Sequence, residues 1–325
     1  DAFAVLSAGD NGLQAGETLV VAIEPYADIL GLKGQGSFTG GTTEERIAKV
    51  VETLGKVTPQ IDQVAEKLKL VRKSLDSIDP NRYPENLNNR PIRPTIVSLK
   101  QAVDLSDDLL TQARPMVKQL PDLLGTNGAK KYMILFQNDA EIRPTGGFIT
   151  AYAIFSVTNG KIHMETSDDI YKLDDTISKH VAPPDPISRY LNVYGWRIRD
   201  SNFSPDFVTS MKVFEDLYAS STQKQSLDGI IAMDTDVLVK MMDVIGPIAA
   251  YNTNFTTQKV PQCDCPMIIY ELEQYADQPT YYQRGSRKDI IGVLLQTLMQ
   301  KAMAAPKNIY AGLFQTAIDE AKQKH

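Results

Sequence analysis

Residues 130–166 read KKYMILFQNDAEIRPTGGFITAYAIFSVTNGKIHMET, and this stretch decides the fold. Tyr132 to Gln137 is a short, mostly apolar run of strand type. Phe148–Val157 and Lys161–Thr166 flank Asn159-Gly160, a pair that tolerates positive φ at both positions and so closes a tight hairpin. Further along, Asp228 to Asp234 reads as a buried strand that leads into a helix, Val237–Val244, stopped by Gly246-Pro247. Helices also fit Pro205–Tyr218, Met267–Tyr275, Arg287–Ala304 and Lys307–Lys322. Strands alternating with helices in this way predict an α/β domain over residues 126–325, with a mixed β-sheet flanked by helices.

Upstream of Gly125 the apolar period changes from two to three or four. Ile47, Val50, Val51, Leu54, Val57, Ile61, Val64, Leu68, Val71 and Leu75 form one helical stripe, opened by a capping box at Thr42 and Glu45. Pro59 is expected to kink this helix rather than end it. A second stripe, Ile96 to Leu120, follows the proline-rich break between Pro84 and Pro94. The two predict a helical hairpin within a leader of residues 1–125. Glu17–Leu32 is a third, shorter helical expectation, closed by Gly31 and Gly34.

Composition narrows the classes. Hydrophobic residues at 42% and charged residues at 23% belong to a globular chain, so disorder and collagen are excluded. The 34 basic against 40 acidic side chains leave a net charge of −6, which argues against nucleic acid as the partner. No apolar run approaches the roughly 20 residues of a membrane span. The opening Asp1-Ala2-Phe3-Ala4 lacks an initiator Met, so the chain reads as a processed or trimmed piece whose membrane anchor would lie upstream. Cys263 and Cys265 have too few neighbouring ligands for zinc. They read as two loop thiols or a short-range bridge.

Three segments gather charges that need a reason. In Asn138 to Phe148 a strand delivers the chain into a turn with Asp139, Glu141, Arg143, Gly146 and Gly147. Turns at strand ends are where α/β proteins place ligands, and Arg143 could fork onto a phosphate or pair with Glu141 or Asp139. In Trp196 to Asp206, strand alternation would put Arg197 and Arg199 on one face, with Trp196 and Ile198 on the other. Ser204 is expected to cap the next helix, with Pro205 first and Asp206 in the first turn, which leaves Asp200 without a structural duty. In Arg284 to Asp289, cations at a helix start oppose the dipole unless they help hold an anion there. Together the segments predict one site for a phosphorylated ligand, in which carboxylates could hold magnesium. No phosphate-binding glycine loop, nucleophile elbow or metalloprotease helix is present.

The stretch of residues 130–162, with RDSNFSPDF, SLDGIIAMDTDVLVKMMDVIGPI and RKDIIGVLLQTLMQKAM, resembles the bacterial domain-of-unknown-function family 4012. The LGLKG and TTEERI stretches of the leader are similar as well. That resemblance implies an extracytoplasmic protein of the cell envelope, held to the membrane through an N-terminal helix absent from this sequence. The family is in turn similar, in the order of its elements, to the LytR-CpsA-Psr phosphotransferases, which move glycopolymers from a polyprenyl pyrophosphate carrier to the cell wall. The resemblance implies Arg143, Arg284 and Arg287 as phosphate-binding positions, beside the Arg197 and Arg199 read above. It implies Asp200 and Asp169 as the catalytic acids or ligands of Mg2+. Two departures weaken the catalytic part: Asp168-Asp169 is followed by Ile170-Tyr171 instead of an Arg-Asp pair, and Gly292-Val293-Leu294 replaces an Arg-Gln-Gln run.

The expected function is therefore binding of a polyprenyl-phosphate-linked glycan, or another phosphorylated envelope ligand, with magnesium-dependent transfer as a further expectation. The alternative is a non-catalytic envelope scaffold or partner-binding module, its arginines held in structural ion pairs.

Overall fold

The computed structural model describes residues 2–24, 43–250, 253–277, 289–305 and 307–325. It divides into two compact units, Asp1–Gly128 with Thr158–Lys161, and Ala129–Val157 with Ile162–His325.

Among the described residues the first unit has three α-helices. α1 (Ala2–Ile23) begins well before the Glu17 expected from the sequence, because Ala8, Ala15 and Ala22 form a small-residue seam that buries where bulkier apolar residues would mark a stripe. The remainder of the Glu17–Leu32 expectation, and Thr42 of the capping box, lie outside the described residues. α2 (Thr43–Asp76) runs through Pro59 without ending. Ahead of the third helix a miniature hairpin, β1 (Asn86–Leu87) with β2 (Arg90–Pro91), turns at Asn88 and Asn89, both at positive φ. α3 (Arg93–Leu123) starts with a proline in its first turn and carries Pro115 and Pro121. Val71, Leu75 and Ile78 pack with Ala8, Ile96 and Val103 to form the core of this unit. A groove of about 1010 Å³ beside α1 is lined by Gly9, Gly12, Leu13 and Gly16, with Val71 and Leu75 opposite. Arg72 bridges to Asp104 and Asp107, tying α2 to α3.

The second unit contains a four-stranded mixed sheet in the order β5–β4–β3–β6, formed by β3 (Lys130–Asn138), β4 (Phe148–Thr158), β5 (Lys161–Asp169) and β6 (Gly229–Asp234). β3 and β4 are antiparallel, with a register shift at Phe136/Gln137. β3 and β6 are parallel and pair Gln137 with Asp234, so both strands end on the same edge of the sheet. The turn between β4 and β5 has Asn159 at φ 50° and Gly160 at φ 75°, the left-handed pair that the Asn-Gly sequence prescribes. A Cβ on Gly160 would sit 2.6 Å from Val51 Cγ2, so this glycine answers both to its dihedral and to space.

Between β5 and β6 lie α4 (Ile170–Asp174), α5 (Asp185–Leu191), a short 3-10 turn Ile198–Asp200 and α6 (Phe207–Tyr218). After β6 come α7 (Thr235–Ile245), the ribbon β7 (Ile248–Ala250) with β8 (Thr253–Phe255), the ribbon β9 (Lys259–Val260) with β10 (Cys265–Pro266), then α8 (Met267–Asp277), α9 (Asp289–Ala304) and α10 (Lys307–Gln323). Met133 and Leu135, two apart on β3, bury against Leu173, Ile198, Phe214 and Leu217. A second core gathers Met242, Ile248, Phe255, Ile268, Leu294 and Leu298. Cys263 and Cys265 form a disulfide with Cα atoms 5.1 Å apart, which selects the bridge over the two-thiol reading. Among the described residues no helix is long and apolar enough to cross a membrane.

Two local expectations need correction. Trp196 to Asp200 is not an alternating strand: Ile198–Asp200 winds into a 3-10 turn, because the amide of Ile198 is captured by the buried carboxylate of Asp174 at 2.7 Å. The helix after it is capped by Asp206, not Ser204. Asp206 Oδ1 accepts the Thr209 amide at 2.8 Å, and its charge suits a helix N-terminus better than a hydroxyl does, while Ser204 Oγ accepts from the Asp206 amide.

Candidate functional site

The turn between β3 and β4 begins where the parallel strands end. Its conformation is forced: Thr145, Gly146 and Gly147 have φ of 67°, 112° and 132° in succession. A Cβ on Gly147 would fall 2.1 Å from Asn138 O, so no other residue fits there. A β-branched residue at positive φ is rare and persists only where neighbours over-determine it. Here they do. Asn202, fully buried, donates through Nδ2 to Pro144 O at 2.9 Å and to Gly147 O at 2.8 Å. Gln137 Nε2 donates to Gly147 O and to Thr145 Oγ1, each at 3.1 Å. Asn138 holds the other side of the turn, donating to Glu273 Oε1 at 2.6 Å and Glu141 Oε1 at 3.1 Å.

That bracing fixes the backbone that carries Arg143. Neither Glu141 nor Asp139 pairs with it, since Glu141 accepts from Asn138 and Asp139 accepts from Thr235. Among the described residues its guanidinium makes no ion pair within 4.0 Å, although its charge acts on the carboxylate of Asp200. It donates to Ile142 O at 3.0 Å and lies 5.6 Å over the Phe148 ring. Arg143, Asp200 and Asn202 line one cavity of about 200 Å³, walled otherwise by Pro144, Pro186, Ile187, Leu191 and Phe203.

The 3-10 turn contributes the rest. Ile198 anchors it in the core, Arg197 faces outward, Arg199 is half-buried and Asp200 is only 5% exposed. Arg199 forms an ion pair with Asp174 and lies 4.5 Å over the Tyr171 ring, so two partners already hold its charge. Burial pushes the Asp174 carboxyl above its ordinary range despite Arg199 and the Ile198 amide. Burial does the same to Asp200, against the opposing pull of Arg199, Arg143 and Arg197 in that order. Three guanidinium groups therefore act on one buried carboxylate, with Arg199 Nε 3.9 Å from Asp200 Oδ2. Trp196 Nε1 donates to Asp200 O at 3.0 Å and closes the turn.

The other acid singled out from the sequence has a structural occupation. Asp169 caps α4, accepting the Tyr171 amide at 2.9 Å, while Asp168 pairs with Lys172 at 2.7 Å. Asp168 also lies close enough to add to the burial that pushes the Tyr152 hydroxyl up to about 12. Arg284 and Arg287 lie outside the described residues, so Arg143, Arg197 and Arg199 are the predicted cations that the structure places.

Asp174, Asn202 and Gln137 were not singled out from the sequence. Each is a polar residue beside apolar ones in a segment read for its arginines or its strand period. The available signal was a polar side chain at a position where alternation demands burial, as at Gln137 after Leu135. At the same strand edge Asp234 caps α7 through the Asp236 amide at 3.1 Å and accepts from His325 Nδ1 at 2.8 Å, which raises the histidine above its usual range.

Fold and site together define a mixed-sheet α/β unit with an arginine-flanked cavity at the strand ends. Residues 127–263, from the approach to β3 through Cys263, match the model of a family described as a protein of unknown function, DUF4012. No curated protein and no solved structure matches the chain.

Proposed function

We propose that the strand-end cavity binds the phosphate of a lipid-linked envelope glycan, a polyprenyl phosphate or pyrophosphate carrier, in an extracytoplasmic, membrane-associated protein. The observation that carries the reading is Arg143: a guanidinium with no ion pair within 4.0 Å among the described residues, carried on a braced turn beside a cavity that it shares with Asp200 and Asn202 and whose other walls are apolar. Such a site offers charge to a phosphate and apolar surface to the isoprenoid units next to it. Arg197, exposed on the neighbouring turn, would add a second contact. The resemblance in element order to the LytR-CpsA-Psr phosphotransferases, read from the sequence, points to the same ligand class.

Magnesium belongs to this proposal only as a companion of the phosphate. The charges of three guanidinium groups act on Asp200, and a dication without an intervening anion would meet their combined repulsion. Asp169 is engaged as a helix cap. Transfer would require the pyrophosphate carrier: an acceptor hydroxyl, giving its proton to Asp200, would bond to the glycan-bearing phosphorus while the bond to the bridging oxygen breaks and polyprenyl phosphate leaves, with the arginines neutralising the charge on the phosphoryl oxygens. The scaffold reading draws on Arg199, whose charge is already met by Asp174 and Tyr171.

The test is binding of vesicles carrying a few per cent polyprenyl phosphate, with neutral vesicles as reference. Arg143→Ala should weaken binding by roughly 10–100-fold, the loss of one charge-assisted hydrogen bond. Arg199→Lys should keep most of it. Equal binding of both vesicle types, or of wild type and Arg143→Ala, would sink the proposal and leave the scaffold.

A further inference from the structure

We propose that Asp236, Glu320 and His325 form a binding site for one divalent transition-metal ion, zinc in preference to magnesium, with Asp234 orienting the histidine. The three side chains are drawn together by tertiary packing. Asp236 lies in the first turn of α7, Glu320 in the last turn of α10, and His325 just beyond it. One ligand atom from each lies within 4.8 Å of the other two.

Proximity of acids alone would carry little, but two further observations point to a ligand. Glu320 is only 5% exposed, and its Oε2 has no hydrogen-bond partner among the described residues. A buried carboxylate oxygen left unmatched needs a proton or a cation. The second is the histidine's orientation. His325 Nδ1 is engaged by Asp234 Oδ2 at 2.8 Å, and the His325 amide donates to Glu320 O at 3.1 Å. With Nδ1 occupied, Nε2 is the nitrogen left to ligate. This carboxylate–histidine pairing is the arrangement by which proteins fix the tautomer and aim of a metal-bound imidazole. Asp234 spends its other oxygen on the Asp236 amide, so both of its oxygens hold neighbouring groups and it stands outside the ligand set.

The donor set selects the ion. One imidazole nitrogen and two carboxylate oxygens suit zinc, whose bonds of about 2.0–2.2 Å leave a fourth tetrahedral position for water. Magnesium prefers oxygen ligands in an octahedron and keeps most of its waters. Zinc would draw the three donors to about 3.4 Å from one another, a closure that side-chain rotation can supply. The site would clamp the end of α10 to the start of α7, beside the Pro144–Gly147 turn, where a Cβ on Gly146 would meet Asp234 Oδ2 at 3.9 Å.

The experiment uses the whole 325-residue chain without a histidine tag, dialysed against chelator and then titrated with zinc chloride or magnesium chloride. Expected is one equivalent of zinc by calorimetry and by metal content after desalting, with a rise in melting temperature that magnesium does not reproduce. Glu320→Gln, nearly isosteric and so expected to fold, and His325→Ala should each weaken zinc binding at least tenfold. His163→Ala should leave it unchanged. Melting of each variant in chelator checks that it is folded. No zinc uptake, or uptake undiminished in both site variants, would overturn the proposal. Because phosphate-lipid binding is measured separately on Arg143, failure of either reading leaves the other standing.

Discussion

Gly147 and Asn202 carry the shape of the strand-end turn. The glycine is the one residue whose missing Cβ lets the chain pass Asn138 O at its observed φ of 132°. Gly147→Ala should therefore destabilise the protein by about 3–4 kcal/mol in urea denaturation, because dihedral strain and a backbone clash act together. Asn202→Ala removes the donor to Pro144 O and one of two donors to Gly147 O, and should cost about 1–3 kcal/mol. Both changes should also lower phosphate-vesicle binding, since each loosens the turn that carries Arg143. A variant with normal binding and reduced stability would separate the turn's structural duty from its proposed ligand.

Short elements here depend on their caps more than on propensity. α4 has five residues, too few to be stable alone, and is held by Asp169 at its N-terminus and by Ile170 and Leu173 in the core. Asp169→Ala should cost about 1 kcal/mol, whereas Asp169→Asn, an equally good cap, should cost almost nothing. Metal-dependent binding measured beside those melts distinguishes a capping aspartate from a metal ligand, because a ligand role would make Asn as damaging as Ala to that binding. The 3-10 turn Ile198–Asp200 follows the same logic. Its sequence alternates like a strand, yet the amide of Ile198 meets Asp174 across 24 residues, and that buried bond bends the chain.

At the scale of the molecule, stability should respond to pH from two opposed groups of acids. Asp206, Asp228 and Glu165 are held below their ordinary range, Asp206 by Thr209, Asp228 by the Lys131 amide and Glu165 by Lys131. Their contribution is present above the unfolded carboxylate value of about 4 and is lost as pH falls through the lowered folded values. Asp174 and Asp200 are raised by burial, so their contribution is fully present below the unfolded value and is lost as pH rises through the folded one. Asp200→Asn escapes that loss. Its stability relative to wild type should rise between pH 3.5 and pH 7.5 in denaturant titrations; a difference that stays flat would mean that the arginines fully offset the burial.

The period and punctuation of the chain determined its elements. The short apolar run Tyr132–Gln137, Asn-Gly at the hairpin and Gly246 after α7 act on a few neighbouring residues, and local sterics suffice to specify them. The small-residue seam of α1 escaped because alanine marks a helix face only when another helix covers it. The candidate site was legible as charge, in Arg143, Arg197, Arg199 and Asp200, but not as pairing. Which arginine is spent and which is left to a ligand follows from Asp174 meeting Arg199 over 25 residues, Asn202 reaching Gly147 over 55, and His325 reaching Asp234 over 91. Hydrogen bonds and ion pairs of that span depend on how the layers pack. Burial then decides their strength, because a desolvated carboxylate or amide must find its partner wherever the fold has put one.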